Sequence, residues 1–419
     1  MEQLQITPAA LKGTIAAVPS KSESHRAILC ALLSKGKCVL SPIDLSDDIK
    51  ATLGAAQALG ASYTYENGVL TLDASLALQT KTAKIDCCES GSTLRFMLTI
   101  AAGLGIETEF TGKGRLPQRP ITCFYDLFGT HGAALSADHL PLRTTGRLTG
   151  GEYRIRGDIS SQFITGLLFV LPVLKDDSRI ILTTPLESKG YVDMTIRVLN
   201  RFGILIETLP DGYSIKGGQT YRPTDYQIEG DWSQAAFFLS AAALGGEITL
   251  TGLKSDSAQG DREIFDIMRR FGAQITETAS GVTCKAAALR GITVDASQIP
   301  DLVPAIAVTA AMAKGQTVIH GAERLRIKES DRIQSVCAGL QRLGCDVVEK
   351  PDGMVITGSP LHTGIIDCEN DHRIAMAFTM LLSAAQGGFL SGYRCINKSY
   401  PLFFEDVKRL GGNLHVLDR

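Results

Sequence analysis

Charge of either sign in excess is the first thing this 419-residue chain lacks: 42 Lys and Arg stand against 44 Asp and Glu, a formal charge of −2. The balance removes any whole-molecule reason to expect nucleic acid or a membrane surface as partner, and leaves room for a basic site inside a neutral whole. Long apolar runs are missing too. The longest uncharged stretch, residues 374–393, is broken by Gln386, Gly387 and Gly388. A membrane span needs about 20 mostly apolar residues, so this stretch reads as a buried helix followed by a turn. Residues 1–10 show no basic-then-apolar leader pattern. The ten cysteines include no C-x-x-C pair, Cys87 and Cys88 being merely adjacent, and the seven histidines show no H-E-x-x-H spacing. Neither a disulfide framework nor a zinc site is expected, and the scattered thiols imply a reducing cytoplasm. No Walker lysine loop, Rossmann glycine fingerprint or metal cluster stands in the sequence, so the expected chemistry needs no metal and no cofactor.

What is present is a repeat. Six short polar clusters, centred on Ser22, Ser92, Ser161, Ser233, Asp301 and Asp371, each open an apolar, helix-like run, at steps of 70, 69, 72, 68 and 70 residues. A fixed period of this length is the mark of one supersecondary unit repeated six times. Each unit reads as helix, strand, helix, strand, strand. The first helix, as at 162–174, 235–244, 302–313 and 374–385, is mostly apolar all round and is expected to be buried on every side. A strand of alternating character follows, as at 247–250 and 316–319. The second helix, as at 261–271 and 330–343, alternates apolar and charged residues at helical spacing and belongs on the outside. A glycine ends it in every unit, at Gly60, Gly132, Gly203, Gly272, Gly344 and Gly411, as a left-handed cap. Two short strands, such as 273–277 and 281–285, complete the unit.

The class is therefore α/β. Three buried helices per half, wrapped by sheets and outer helices, predict two similar domains: residues 1–19 plus 230–419, and residues 20–229. The strand-like segment at 4–18 has no partner of its own and is expected to complete the first domain. No low-complexity linker marks either crossing, which implies a short two-stranded hinge. A solenoid of six stacked repeats is the alternative, but it would not require polar clusters at the same end of every unit.

Helix starts carry unpaired N–H groups and a partial positive charge, so several converging starts form an anion trap. The first cluster, Lys21-Ser22-Glu23-Ser24-His25-Arg26, sets two cations at a helix mouth where the dipole disfavours them, with Ser22 or Ser24 as N-cap. An anion held there would offset both cations, so the local conflict marks function. The second cluster, Glu89 to Arg95, adds hydroxyls, an arginine and Gly91, whose bare backbone lets N–H groups approach a phosphate; a left-handed turn would explain the glycine equally well. Residues 112–120 form a basic, flexible loop that includes Arg119, and composition alone fits an ordinary surface loop as well. Ser160, Ser161 and Gln162 offer neutral donors and acceptors suited to a hydroxylated ring, or a simple cap. Asp231, Ser233 and Asp301 can each be read as caps. The densest signal is Leu325-Arg326-Ile327-Lys328-Glu329-Ser330-Asp331-Arg332, where carboxylates lie between cations. Such a carboxylate can carry a proton while the cations hold an anionic substrate. Asn370-Asp371-His372-Arg373 repeats the theme, and Lys398 lies at a strand–helix junction. Together these predict a cleft between two domains lined by Lys21, Arg26, Arg119, Lys328, Arg332, Arg373 and Lys398. Seven cations suit two anionic substrates, or one bearing phosphate and carboxylate.

These motifs resemble those of the enolpyruvyl transferase family, in the branch that acts on shikimate 3-phosphate. The matches are K-S-x-S-x-R at 21–26, S-G-S-T-x-R at 90–95, R-P at 119–120, S-S-Q at 160–162, L-R-x-K-E-S-D-R at 325–332 and D-H-R at 371–373. The resemblance implies two domains, each of three βαβαββ units in an inside-out α/β barrel, that close over the substrates. It implies transfer of the enolpyruvyl group of phosphoenolpyruvate to the 5-hydroxyl of shikimate 3-phosphate, with release of phosphate. Shikimate 3-phosphate would be held by Lys21, Ser22, Arg26, Ser160, Ser161, Gln162, Ser188, Asp301 and Lys328. Phosphoenolpyruvate would be held by Lys21, Gly91, Arg119, Gln162, Arg332, Arg373 and Lys398. Asp301 would accept the 5-hydroxyl proton and Glu329 would protonate the methylene carbon, with Lys21 reaching both substrates. The implied protein is a cytoplasmic monomer, a target of glyphosate, with small-molecule partners only. Arg324 stands where the family often has asparagine and is left out of the site. Glu89, Ser92 and Phe96 replace a frequent asparagine, threonine and proline, changes that bear on affinity, glyphosate's included, rather than on the reaction. The branch that takes UDP-N-acetylglucosamine carries a cysteine in the loop before the R-P pair; residues 112–119 hold none, and Cys123 comes after it. A non-catalytic metabolite binder would leave Asp301 and Glu329 without a purpose.

Overall fold

In the computed structural model of the chain, which describes residues 2–417, twelve α-helices follow one another: α1 (Lys21–Leu33), α2 (Asp47–Ala58), α3 (Gly91–Leu104), α4 (Thr122–Gly129), α5 (Ser161–Val170), α6 (Lys189–Arg201), α7 (Trp232–Gly245), α8 (Ile264–Phe271), α9 (Val303–Ala310), α10 (Arg332–Arg342), α11 (His372–Ala384) and α12 (Phe403–Arg409). The odd-numbered helices start at the six polar clusters. Ser20, Ser90 and Ser160 cap α1, α3 and α5 through their hydroxyls, and Asp231 and Asp371 cap α7 and α11 through their carboxylates. The cap of α1 is thus Ser20, not Ser22 or Ser24. The helix begins at Lys21, two residues earlier than a Ser22 cap would place it, and Ser24 Oγ turns back onto the Ser20 carbonyl at 2.8 Å. Asp301 is no cap either: α9 is entered through a 3-10 turn, Pro300–Leu302, without a side-chain cap. Its carboxylate is engaged by arginines instead.

The odd helices are apolar on all sides and buried on all sides. In α1 every residue from Glu23 to Leu33 is buried. Neighbouring inner helices run parallel, since contacts join equivalent positions one period apart: Thr99 Oγ1 donates to the Gly166 carbonyl at 2.7 Å, and the Ser240 and Thr309 hydroxyls meet at 2.5 Å. Gly166 allows this approach. A Cβ there would lie 2.9 Å from the Arg95 carbonyl oxygen, so any side chain would force backbone apart. The even helices end as expected, each with its glycine in the left-handed region, φ 93°, 84°, 85°, 104°, 84° and 92° for Gly60, Gly132, Gly203, Gly272, Gly344 and Gly411.

Six four-stranded sheets match the six periods. In four of them the strand before an inner helix runs parallel to the strand after it, as Thr82–Asp86 does to Glu107–Thr111. Around α1 and α7 the partners are exchanged: Tyr226–Gln227, before α7, runs parallel to Lys37–Ser41, after α1, and Lys12–Ala16, before α1, to Glu247–Thr251, after α7. Two antiparallel strands complete each sheet. The segment at 4–18 holds two strands rather than one, and they serve different sheets. Gln3–Thr7 pairs antiparallel with Gly388–Ser391 and Asn413–Leu417, whereas Lys12–Ala16 runs parallel to Glu247–Thr251. The chain forms two compact units, Met1–Val18 with Glu229–Arg419, and Pro19–Ile228. The first has its core around α7, α9 and α11, the second around α1, α3 and α5. No helix among the described residues is long and apolar enough to cross a membrane. The uncharged stretch at 374–393 divides between α11 and the strand Gly388–Ser391.

Candidate active site

In the unit Pro19–Ile228, the starts of α1, α3 and α5 bring one set of predicted residues together. Lys21 Nζ lies 2.6 Å from Asp48 Oδ2 at the start of α2. Arg26, one turn into α1, donates from Nε to Thr195 Oγ1 at 2.8 Å, from Nη2 to the Tyr191 carbonyl at 3.1 Å and from Nη1 to the Ser22 carbonyl at 2.6 Å. Its guanidinium also lies over the Phe96 ring, 5.5 Å from the centroid. Burial pushes the Arg26 pKa down to about 10, so the group is still charged at neutral pH. Burial, then the charges of Lys21 and Arg26, push the neighbouring His25 well below the usual imidazole range, so it is neutral. Its Nδ1 meets Thr52 Oγ1 at 2.7 Å, Thr52 meets Thr93 Oγ1 at 2.7 Å, and Thr93 donates to Ser90 Oγ at 2.8 Å. This chain of hydroxyls ties the mouth of α1 to the mouth of α3.

Gly91 is the first residue of α3, and its φ is not in the left-handed region. The turn explanation for this glycine therefore fails. What requires it is space: a Cβ would lie 2.7 Å from Arg119 Nη1 and 2.8 Å from Arg95 Nη1. The loop at 112–120 is more ordered than its composition suggested, with a 3-10 turn at Leu116–Gln118 anchored by buried Leu116, and it delivers Arg119 to α3. Arg95 donates to Gln162 Oε1 at 2.8 Å and to the Pro120 carbonyl at 3.2 Å, while Gln162 Nε2 donates to Ser92 Oγ at 2.9 Å. Ser160 caps α5 and Ser161 is its first residue. Ser188, buried, opens α6 at φ 54° and ψ 43°. A non-glycine residue in that region costs on the order of 1–3 kcal/mol and is retained where the surroundings require it.

The unit holding residues 229–419 carries the second set. Asp301 Oδ1 accepts from Arg332 Nη1 at 3.0 Å and Oδ2 from Arg373 Nη2 at 3.1 Å, with Lys328 Nζ 4.0 Å away. Burial raises the Asp301 pKa, but the charges of Arg373, Lys328 and Arg332 outweigh it and hold the carboxyl well below the usual range. Arg332 is buried and also donates from Nε to Asp371 Oδ2 at 2.7 Å and from Nη2 to Glu329. Burial opposes its charge, and Asp371, Glu329 and Asp301 more than offset that, raising its pKa. A buried charge is tolerable only with such partners. Asp371 both caps α11 and accepts from Ser330 Oγ at 3.1 Å. Arg373 further donates from Nη1 to Ser233 Oγ at 2.7 Å and to the Asp301 carbonyl at 3.1 Å. Lys398 donates to the Asn370 carbonyl at 2.6 Å, next to Asp371.

Each unit thus gathers its share of the expected residues: Lys21, Ser22, Arg26, Gly91, Arg119, Ser160, Ser161, Gln162 and Ser188 in one, Asp301, Lys328, Glu329, Arg332, Arg373 and Lys398 in the other. Asp48 and Asp261 were not foreseen, and Arg95, named in the second cluster, was given no role in the site. Asp48 follows the capping Ser46 and reads as an ordinary helix-start acid; its distance from Lys21 in sequence hides the pair. Arg95 had a signal, a cation near the mouth of an otherwise apolar helix. Asp261 was expected outside, on the second helix of its unit, yet it is buried. It sits in a 3-10 turn, Gly260–Glu263, ahead of α8, so the helical alternation does not govern it. Chemically, the arrangement sets carboxylates among cations at converging helix starts, which suits proton transfer on a bound polyanion. Among the described residues, no cluster of His, Cys, Asp and Glu could hold a metal.

A family model described as EPSP synthase (3-phosphoshikimate 1-carboxyvinyltransferase) matches residues 6–407. A 3-phosphoshikimate 1-carboxyvinyltransferase of Clostridium perfringens (strain 13) is 44% identical, covering 99% of both chains, and one of Clostridioides difficile (strain 630) is 41% identical over 99% of this chain and 98% of its own. The solved EPSP synthase of Acinetobacter baumannii superposes with a TM-score of 0.82 at 28% identity, covering 100% of both chains.

Proposed function

The chain belongs to the EPSP synthase family, and from that premise we propose that it transfers the enolpyruvyl group of phosphoenolpyruvate to the 5-hydroxyl of shikimate 3-phosphate and releases phosphate. This is a transferase reaction of the shikimate pathway to aromatic amino acids. The observation that carries the reading is Asp301: a carboxylate kept charged among Arg332, Arg373 and Lys328, with Glu329 on the same Arg332.

Addition forms a bond from the 5-oxygen to C2 of phosphoenolpyruvate while a proton reaches its C3. Asp301 takes the proton of the 5-hydroxyl, and Glu329 delivers the proton that turns the methylene into a methyl. Elimination reverses the second transfer: Glu329 removes a proton from C3, the C2–O bond to phosphate breaks, and the proton held by Asp301 leaves with phosphate. Asp301 gains the basicity this needs from the substrate. Arg332 and Arg373 hold its pKa down, and phosphoenolpyruvate draws on those same cations, leaving burial to push the carboxyl upward. Arg332, Arg373, Lys398, Arg119, Gln162 and the backbone at Gly91 hold phosphoenolpyruvate. Ser22, Arg26, Ser160, Ser161, Gln162, Ser188 and Lys328 hold shikimate 3-phosphate, and Lys21, kept in place by Asp48, serves both.

The enzyme works as a monomer in the cytoplasm, a setting that suits its ten free thiols. Incubating it with shikimate 3-phosphate and phosphoenolpyruvate tests the reading. Phosphate and the enolpyruvyl ether must appear in equal amounts and only when both substrates are present. Turnover with UDP-N-acetylglucosamine instead, or none with shikimate 3-phosphate, overturns it.

A further inference from the structure

Asp261 is buried, lies on the turn before α8, and has no part in the reaction steps above. It serves no helix start: α8 has no side-chain cap, and α7 is capped by Asp231. Its carboxyl is hydrogen-bonded to Ser233, and Ser233 Oγ lies 2.7 Å from Arg373 Nη1. A guanidinium only donates, so Ser233 accepts from Arg373 and its single proton is left for Asp261. The order is therefore Asp261, Ser233, Arg373, with Arg373 bonded in turn to Asp301. Reversing the serine would set its proton against that of the arginine, so a charged Asp261 holds Ser233 in the one orientation that accepts from Arg373.

We propose that Asp261 is a positioning residue, fixing through Ser233 the direction in which Arg373 presents its guanidinium to the donor anion. The inference rests on the phosphoenolpyruvate role given to Arg373 above. Burial, then the charge of Asp301, push the Asp261 carboxyl up to about 6; Arg373 and the Ser233 hydrogen bond oppose this and Asp231 adds to it. Below that pH the carboxyl gains its own proton, and the demand on Ser233 lapses.

Steady-state kinetics on Asp261→Asn, which keeps shape and loses charge, test the idea. The KM for phosphoenolpyruvate should rise about tenfold at pH 8, as expected when a charge-assisted hydrogen bond is replaced by a neutral one. The KM for shikimate 3-phosphate should stay within about twofold, as should kcat. The ratio of variant to wild-type KM for phosphoenolpyruvate should shrink toward one below pH 6, where wild type also carries a neutral group, whatever the ionisation of the substrate itself. In a Ser233→Ala background, Asp261→Asn should add nothing, since its route to Arg373 is already cut. If Asp261→Asn does not fold, Ser233→Ala carries the test alone, through the same pH-dependent ratio. An unchanged KM for phosphoenolpyruvate, equal rises in both KM values with a lowered Tm, a ratio independent of pH, or multiplicative effects in the double variant each overturn the proposal. A wild-type protein that releases no phosphate refutes instead the reaction assigned above, so the two failures are distinct.

Discussion

Replacing Gly91 by alanine adds one methyl at the first residue of α3, and the geometry states what it meets. The new Cβ would lie 2.7 Å from Arg119 Nη1, 2.8 Å from Arg119 Cζ and 2.8 Å from Arg95 Nη1. All three belong to ends of flexible side chains, so the guanidinium groups yield while the backbone stays. Ordinary contact requires them to retreat by about 1 Å. For a charge pair in a partly buried site, widening the separation from about 3 to about 4 Å costs about 1.4 kcal/mol at an effective dielectric of about 20. That is about tenfold in affinity. The KM for phosphoenolpyruvate should therefore rise about tenfold and inhibition by glyphosate should weaken, while the KM for shikimate 3-phosphate changes little. Folding gives no offsetting penalty. The φ of Gly91 is not left-handed, and alanine favours a helix over glycine by up to about 1 kcal/mol. Steady-state kinetics with each substrate varied in turn, beside a melting curve, decide the matter. A lower Tm with both KM values unchanged would refute the reasoning, because it would mean the glycine serves the backbone and not the arginines.

Glu329→Gln keeps size and hydrogen bonding to Arg332 but removes the ionisable group, so kcat should fall by a factor on the order of 10² or more while both substrates still bind; a change of only a few-fold would mean that Glu329 carries no proton. Asp301→Asn should lower kcat on a similar scale, about 10², with the 5-hydroxyl left without its base. The same variant should lose stability at pH 7. A carboxyl whose pKa is depressed in the fold stabilises above its unfolded value of about 3.9 and loses that contribution as pH falls through the folded value. Urea midpoints of wild type and Asp301→Asn should thus converge in acid, and a constant gap would contradict the low pKa. Gly166→Ala tests the scaffold rather than the chemistry: its methyl meets the Arg95 carbonyl at 2.9 Å and Thr99 Oγ1 at 3.0 Å. It should cost about 1–3 kcal/mol, read as a Tm lower by several degrees.

The sequence by itself carried everything that local rules govern. The six-fold period, the buried character of the odd helices and the six terminal glycines depend on residues within a turn or two of each other, and all appear in the structure. The cations of the site were also legible, because a charge at the mouth of an apolar helix conflicts with its surroundings wherever the chain goes next. Local rules gave way where two readings shared one residue type. Serine or aspartate before an apolar run suits a cap or a ligand, and only the fold made Ser20 the cap of α1 and Asp301 the partner of arginines. That choice rests on groups far apart along the chain: Asp301 and Arg373 are 72 residues apart, Arg95 and Gln162 are 67. Asp261 was hidden for the same reason. Its burial and its link to Ser233 come from the packing of a turn against α7, and no pattern around residue 261 encodes which side chain will stand opposite. Period and polarity depend on neighbours in sequence; pairing, protonation and aim depend on neighbours in space, which only the packed helices supply.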